Sequence, residues 1–166
     1  LLPEPDPSLA LRLAELYKSA FLTHRTRPDF HEPLFPGTRE LLDALRERDL
    51  LLGVVTGKAM RGLRFVLERH GLEDHFVTLQ TADLHPSKPH PAMVRAAMAE
   101  TGVGPAQTMV VGDTSFDILM AVAAGALPVG VSWGNHPPEE LAAAGAHLVL
   151  ARFEELHGLL ARPISE

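Results

Sequence analysis

The chain has 166 residues, of which 46% are hydrophobic, enough for a domain with a sizeable core, and it has no cysteine, which excludes disulfides, thiolate metal sites and a cysteine nucleophile. The formal net charge is −6 and the charged residues are scattered, so there is neither a nucleic-acid footprint nor a membrane-seeking basic face. No apolar stretch approaches the ~20 residues needed to cross a bilayer, and the expectation is a soluble cytoplasmic protein with no nucleic-acid or membrane partner.

Pro3, Pro5 and Pro7 block a helix until after the last of them, and Ser8 is a plausible N-cap. From there Leu9, Leu13, Leu16 and Ala20 recur at helical spacing, which predicts one amphipathic helix reaching His24. Pro28, Pro33, Pro36 and Gly37 then make a non-helical connector that reads as a hinge. The expected organisation is a one-helix unit over residues 1–30 and a second unit over 31–166.

In the second unit Leu41, Leu42 and Leu45 mark a helix, and the continuous apolar run from Leu50 to Val55 is short and valine-containing, as a buried strand requires. A helix from Ala59 to His70 follows, stopped by Gly71, and then a strand from Phe76 to Leu79. Pro91 opens the next helix, which ends near Gly102. A strand over Met109 to Val111, a helix over Ser115 to Ala124 and a strand over Pro128 to Ser132 come next. A helix over Glu139 to Ala144, a strand over His147 to Leu150 and a helix over Phe153 to Leu160 complete the series. Strands and helices alternate, so the fold class is α/β with a mainly parallel sheet.

All carboxyl ends of a parallel sheet lie on one edge, where ligands bind. After the first strand come Thr56, Gly57 and Lys58; after the second, a loop with Lys88; after the third, Asp113 and, four residues on, Asp117. Thr56 and Gly57 offer a hydroxyl and unobstructed backbone N–H groups where a helix begins, a recurrent way to hold phosphate. Lys88 supplies a point charge for the same group. Two carboxylates at such an edge suit Mg²⁺, which takes one or two of them together with phosphate oxygens and water. Each feature has a plainer reading: a Thr-Gly turn, a solvated lysine, acids that cap a helix with Ser115 as N-cap. What favours the chemical reading is that three separate turns place complementary groups on one edge. Trp133, Asn135 and His136, after the fourth strand, could line the same crevice. The nine histidines are too dispersed to nominate a metal trio.

The segments VVTGK (Val54 to Lys58), SKPHP (Ser87 to Pro91) and VVGDTSFD (Val110 to Asp117) resemble, in order, the second, third and fourth motifs of the haloacid dehalogenase-like superfamily, in particular its capped, phosphoglycolate phosphatase-like members. The resemblance covers Leu34 to Leu150 and implies a three-layer, Rossmann-like core with a remnant of a helical cap in residues 1–30. It implies a phosphomonoesterase acting on a small phosphorylated metabolite with Mg²⁺ as cofactor. Thr56 would bond the transferring phosphoryl group, Gly57 and Lys58 would lie beside it, and Lys88 would neutralise it. Asp113 would coordinate the metal and Asp117 would support that site through water or by orienting its neighbour.

The family's first motif, DxDGT at the end of an N-terminal central strand, supplies the aspartate nucleophile, and no two aspartates of this chain are separated by a single residue. With a first residue that is leucine, this leads to the expectation of a fragment of a longer phosphatase, inactive alone, whose partner is the missing N-terminal segment. The strands ending at Thr56 and Asp113 would then carry unpaired central edges. Other readings are a non-catalytic phosphate-binding or interaction module and, within the superfamily, a phosphosugar mutase or a dehalogenase.

Overall fold

The computed structural model describes residues 6–25 and 32–160. The proline-rich start and the hinge residues 26–31, with the boundary expected at residue 30, lie outside the described residues apart from Asp6 and Pro7. Two compact units are formed, Leu1–Leu34 and Phe35–Glu166.

The first unit contains α1, Pro7–Arg25. Its start differs from the sequence reading: Pro7 is already helical, and the cap is Asp6, whose Oδ1 accepts the Ser8 N–H at 2.8 Å. Proline is tolerated at a first helical position because the N–H it lacks would be unpaired there anyway. The bonds from Ser8 hold the Asp6 carboxyl below its usual range. Leu9, Leu13 and Leu16, the expected apolar stripe, are exposed.

The second unit alternates strands and helices: α2 Thr38–Arg46, β1 Gly53–Thr56, α3 Met60–His70, β2 Thr78–Thr81, α4 Ala92–Thr101, β3 Met109–Gly112, α5 Ser115–Ala124, β4 Leu127–Val131, α6 Pro138–Ala143, β5 Leu148–Leu150 and α7 Phe153–Leu160. Single 3-10 turns at Glu73–His75 and Pro105–Gln107 were not anticipated. Gly71 and Gly102 end α3 and α4 in the left-handed conformation, with φ of 59° and 72°, which a side chain would strain.

Two strands are displaced from their expected places. Leu50 and Leu51 are exposed and β1 begins only at Gly53, whose Cα lies so close to β2 that a Cβ there would sit 2.6 Å from Thr78 Cγ2. Hydrophobicity marks the run; the glycine marks where two strands can approach. β2 correspondingly starts two residues later than its apolar letters suggest, because Gly53 pairs with Thr78.

All strand pairings are parallel, but they make two sheets, β1-β2 and β3-β4-β5. One face is covered by α4 and α5, where Met93, Val94, Met120 and Ala121 bury themselves against Val110 with Val55 packed alongside. Arg95 donates from Nη2 to the Ala123 carbonyl at 2.9 Å and ties α4 to α5. The other face is covered by α2 and α7, whose Leu41, Leu45 and Leu156 pack on Val129 and Leu150. Among the described residues β1 pairs only with β2, and β3 only with β4. Val111 on β3 is 41% exposed beside this open edge.

Buried His75 is held to α2 by a 2.7 Å contact from Nε2 to Asp43 Oδ1, while its Nδ1 is buried with no partner. Asp43→Ala is expected to leave both ring nitrogens without a protein partner and to cost about 1–3 kcal/mol in urea unfolding, the cost of stranding a buried polar group. A change within ~0.5 kcal/mol, the range of ordinary surface substitutions, would show that the contact holds nothing.

Candidate active site

The carboxyl ends of β1, β2, β3 and β4 supply the four loops of the site, and the sequence dictates how each is held. Thr56 ends β1, and its Oγ1 accepts the Lys58 N–H at 3.2 Å, folding Thr56, Gly57 and Lys58 into one turn before α3. The space around Gly57 is open. Asp83, from the loop after β2, accepts the Met60 N–H at 3.0 Å and so caps α3 from another element.

The loop after β2 is anchored by polar residues on the strand itself. Gln80 and Thr78 are buried; Gln80 Nε2 donates to Thr78 Oγ1 at 2.8 Å, and Thr78 Oγ1 donates to Glu100 on α4. The bonds from Thr78 and then Gln80 hold the Glu100 carboxyl below its usual range. With its amide nitrogen so committed, Gln80 accepts from His85 Nε2 at 2.7 Å, which pins the loop that carries Lys88.

Lys88 reaches Asp117 on α5: Nζ lies 2.5 Å from Oδ1, with the two side chains 21% and 8% exposed. The other oxygen, Oδ2, accepts from Thr114 Oγ1 at 2.6 Å and from the Thr114 N–H at 3.2 Å. Thr114 is the N-cap of α5 and completes a capping box by accepting the Asp117 N–H at 3.3 Å. Ser115, read from sequence as the cap, is instead the first helical residue and gives its hydroxyl to Glu140 at 2.8 Å. Asp117 is packed against β3 so closely that a Cβ at Gly112 would lie 2.2 Å from its own Cβ. Gly112→Ala is therefore expected to push α5 and the Lys88–Asp117 pair off the strand at about 1–3 kcal/mol, read as a lower midpoint in thermal unfolding. An unchanged midpoint would contradict this packing.

Asp113 lies at the end of β3 and is gripped from the loop after β4. Its Oδ2 accepts the Asn135 N–H at 3.0 Å and Asn135 Nδ2 at 2.5 Å, and its carbonyl accepts the His136 N–H at 3.0 Å. A Cβ at Gly134 would lie 2.1 Å from Asp113 Cβ, so only glycine leaves this room. Beside Asp113 is a recess of about 250 Å³ with Phe35, Val111, Val131, Trp133 and Phe153 in its wall.

Lys88, Asp117 and Thr114 thus form one hydrogen-bonded group, and Asp113, the residue before Thr114, is held separately by Asn135 and His136. Thr56, Gly57 and Lys58 occupy the carboxyl end of the neighbouring sheet as a turn of their own. Of the residues expected to line the crevice, Trp133 lines the recess, while Asn135 and His136 bond to Asp113 itself. Thr114 was missed, although Thr-x-x-Asp at a strand-to-helix turn is a readable capping signal.

Residues 9–131 match the family model described as haloacid dehalogenase-like hydrolase. The chain belongs to this family. It is 39% identical over 127 residues to a protein named as the probable phosphatase IndB of Dickeya dadantii, a match covering 75% of this chain and 55% of the relative. It is 32% identical over 124 residues to a phosphoglycolate phosphatase of Vibrio vulnificus, covering 74% and 54%. In three dimensions it is similar to the crystal structure of a hydrolase from Pseudomonas syringae, with a TM-score of 0.80, 26% identity and coverage of 95% of this chain and 71% of the other. The stretches that match these two curated relatives span about half of their lengths.

As an α/β chain with parallel strands, this family member has the fold class that its sequence predicts. Among the described residues, the unpaired edges on β1 and β3 fall where the family resemblance puts them. No helix among the described residues is long and apolar enough to cross a membrane.

Proposed function

We propose that this chain supplies the phosphate- and Mg²⁺-handling part of a phosphomonoester hydrolase that acts on a small organic phosphate, of the phosphoglycolate phosphatase type. The observation that carries the reading is the bonded group Lys88, Asp117 and Thr114 with Asp113 next to it in the chain, at the carboxyl ends of strands of which β1 and β3 each keep, among the described residues, an unpaired edge. The relatives named as phosphatases support it.

The donor set suits Mg²⁺ at Asp113. Both described bonds to its carboxylate fall on Oδ2, which leaves Oδ1 for a hard cation, and Mg²⁺ needs only one or two carboxylates beside phosphate oxygens and water. Among the described residues no three histidine, cysteine or acidic side chains cluster as a cage, so this would be an open site shared with substrate. Bound there, Mg²⁺ would neutralise charge on the phosphoryl oxygens. Asp117 has both oxygens committed, and in this reading its task is to hold Lys88 rather than to ligate. Lys88 Nζ sets a positive charge beside the phosphate, while the Thr56 hydroxyl and the Gly57 backbone N–H orient its other oxygens, with the Lys58 N–H holding the turn through Thr56 Oγ1.

The nucleophile of the reading is an aspartate on a strand that pairs with the unpaired edges of β1 and β3. Its carboxylate attacks phosphorus, the bond to the leaving alkoxide breaks, and water then cleaves the aspartyl-phosphate to free phosphate. The 166-residue chain alone is expected to give no steady hydrolysis of p-nitrophenyl phosphate. Joined to an apolar strand ending in Asp-x-Asp-Gly-Thr, it is expected to turn the ester over, and Asp113→Asn should abolish that. Steady turnover by the chain alone, lost in Asp113→Asn, would overturn the need for a supplied nucleophile.

A further inference from the structure

The loop after β4 does more than border the crevice. Three consecutive residues act on Asp113 in three ways: Gly134 leaves the room, Asn135 takes the carboxylate and the His136 N–H takes the carbonyl. Asn135 is exposed, so burial does not account for its place. Both of its donors, the backbone N–H and the side-chain amide, converge on the same oxygen, Oδ2. A carboxylate bound this way cannot rotate without losing both bonds.

We propose that Asn135 is a positioning residue for metal binding: by fixing Oδ2 it aims Oδ1 of Asp113 at Mg²⁺ and leaves that oxygen's lone pairs for the cation. The inference rests on the reading of Asp113 as the metal ligand. A ligand carboxylate is orientated by the groups that hydrogen-bond its other oxygen, and removing such a group typically weakens metal binding about 10–100-fold. Gly134 is part of the device, since any side chain there would displace Asp113 and carry Asn135 away.

The test has two arms on the whole chain. Without metal, the Asn135 side-chain amide protons, followed by NMR, should exchange slowly in the wild type and rapidly in Asp113→Ala; equal exchange in the two overturns the bond. In calorimetric titrations of Mg²⁺ with orthophosphate present, Asn135→Ala should raise the dissociation constant about 10–100-fold. The metal-free thermal midpoint should stay within about 2 °C of wild type, as for an exposed loop substitution. Wild-type affinity in Asn135→Ala, with binding lost in Asp113→Asn, overturns the positioning role and leaves the metal site standing. Binding that is indifferent to Asp113→Asn, or absent from the wild type, overturns the metal site and the positioning role with it.

Discussion

Lys88→Met is expected to destabilise the chain by about 3 kcal/mol, because it removes the partner of a carboxylate that is almost wholly buried. Asp117 is 8% exposed and its Oδ1 faces Lys88 Nζ at 2.5 Å, leaving only Thr114 as donor once the ammonium is gone. Breaking a buried pair from one side typically costs 3–5 kcal/mol, and the 21% exposure of Lys88 places this pair at the lower end. The double variant Lys88→Met with Asp117→Leu should recover part of the loss, since no charge is left unpaired, the remainder being the Thr114 hydroxyl and N–H that lose their acceptor. Urea unfolding of the wild type, both single variants and the double variant measures the coupling. A single variant within ~0.5 kcal/mol of wild type would show that the pair is merely a surface contact.

The second large effect concerns the opening between β1 and β3. Among the described residues each of these two strands has one paired and one unpaired edge, and both unpaired edges belong to strands with helices packed on their faces. Unpaired amides at such a place either meet water, at a cost to the packing, or recruit another strand. A supplied apolar strand is therefore expected to slow hydrogen exchange at β1 and β3 by about 100-fold or more, as those amides pass from a frayed edge into a core strand. Val111 and the recess beside it should lose solvent exposure at the same time. Parallel pairing places neighbouring side chains on the same face, so an apolar residue level with Val111 would enter that recess. A mixed-sequence peptide that protects the same amides equally well would show the opening to be non-selective. Unchanged exchange with every strand would sink the idea that the opening accepts one.

The amino-acid order by itself determined the alternation of strands and helices. Each of α2 to α5 carries an apolar periodicity or a stop signal, such as Gly71 and Gly102, that acts within a few residues. It determined, through three short segments, which polar residues stand at the carboxyl edge, because strand ends and helix starts are local events. Their neighbours in space were decided elsewhere. That Asp117 holds Lys88, that Asp83 caps α3, and that Asn135 rather than a nearer residue fixes Asp113 depends on separations of 29, 23 and 22 residues, which no local pattern encodes. The start of β1 at Gly53 was likewise settled by β2, since close approach is a property of two strands and hydrophobic lettering is a property of one. Which edges stay open was legible only through the family resemblance and not in any local lettering, because an edge is defined by the strand that is or is not beside it, and among the described residues the tertiary pairing leaves one on β1 and one on β3.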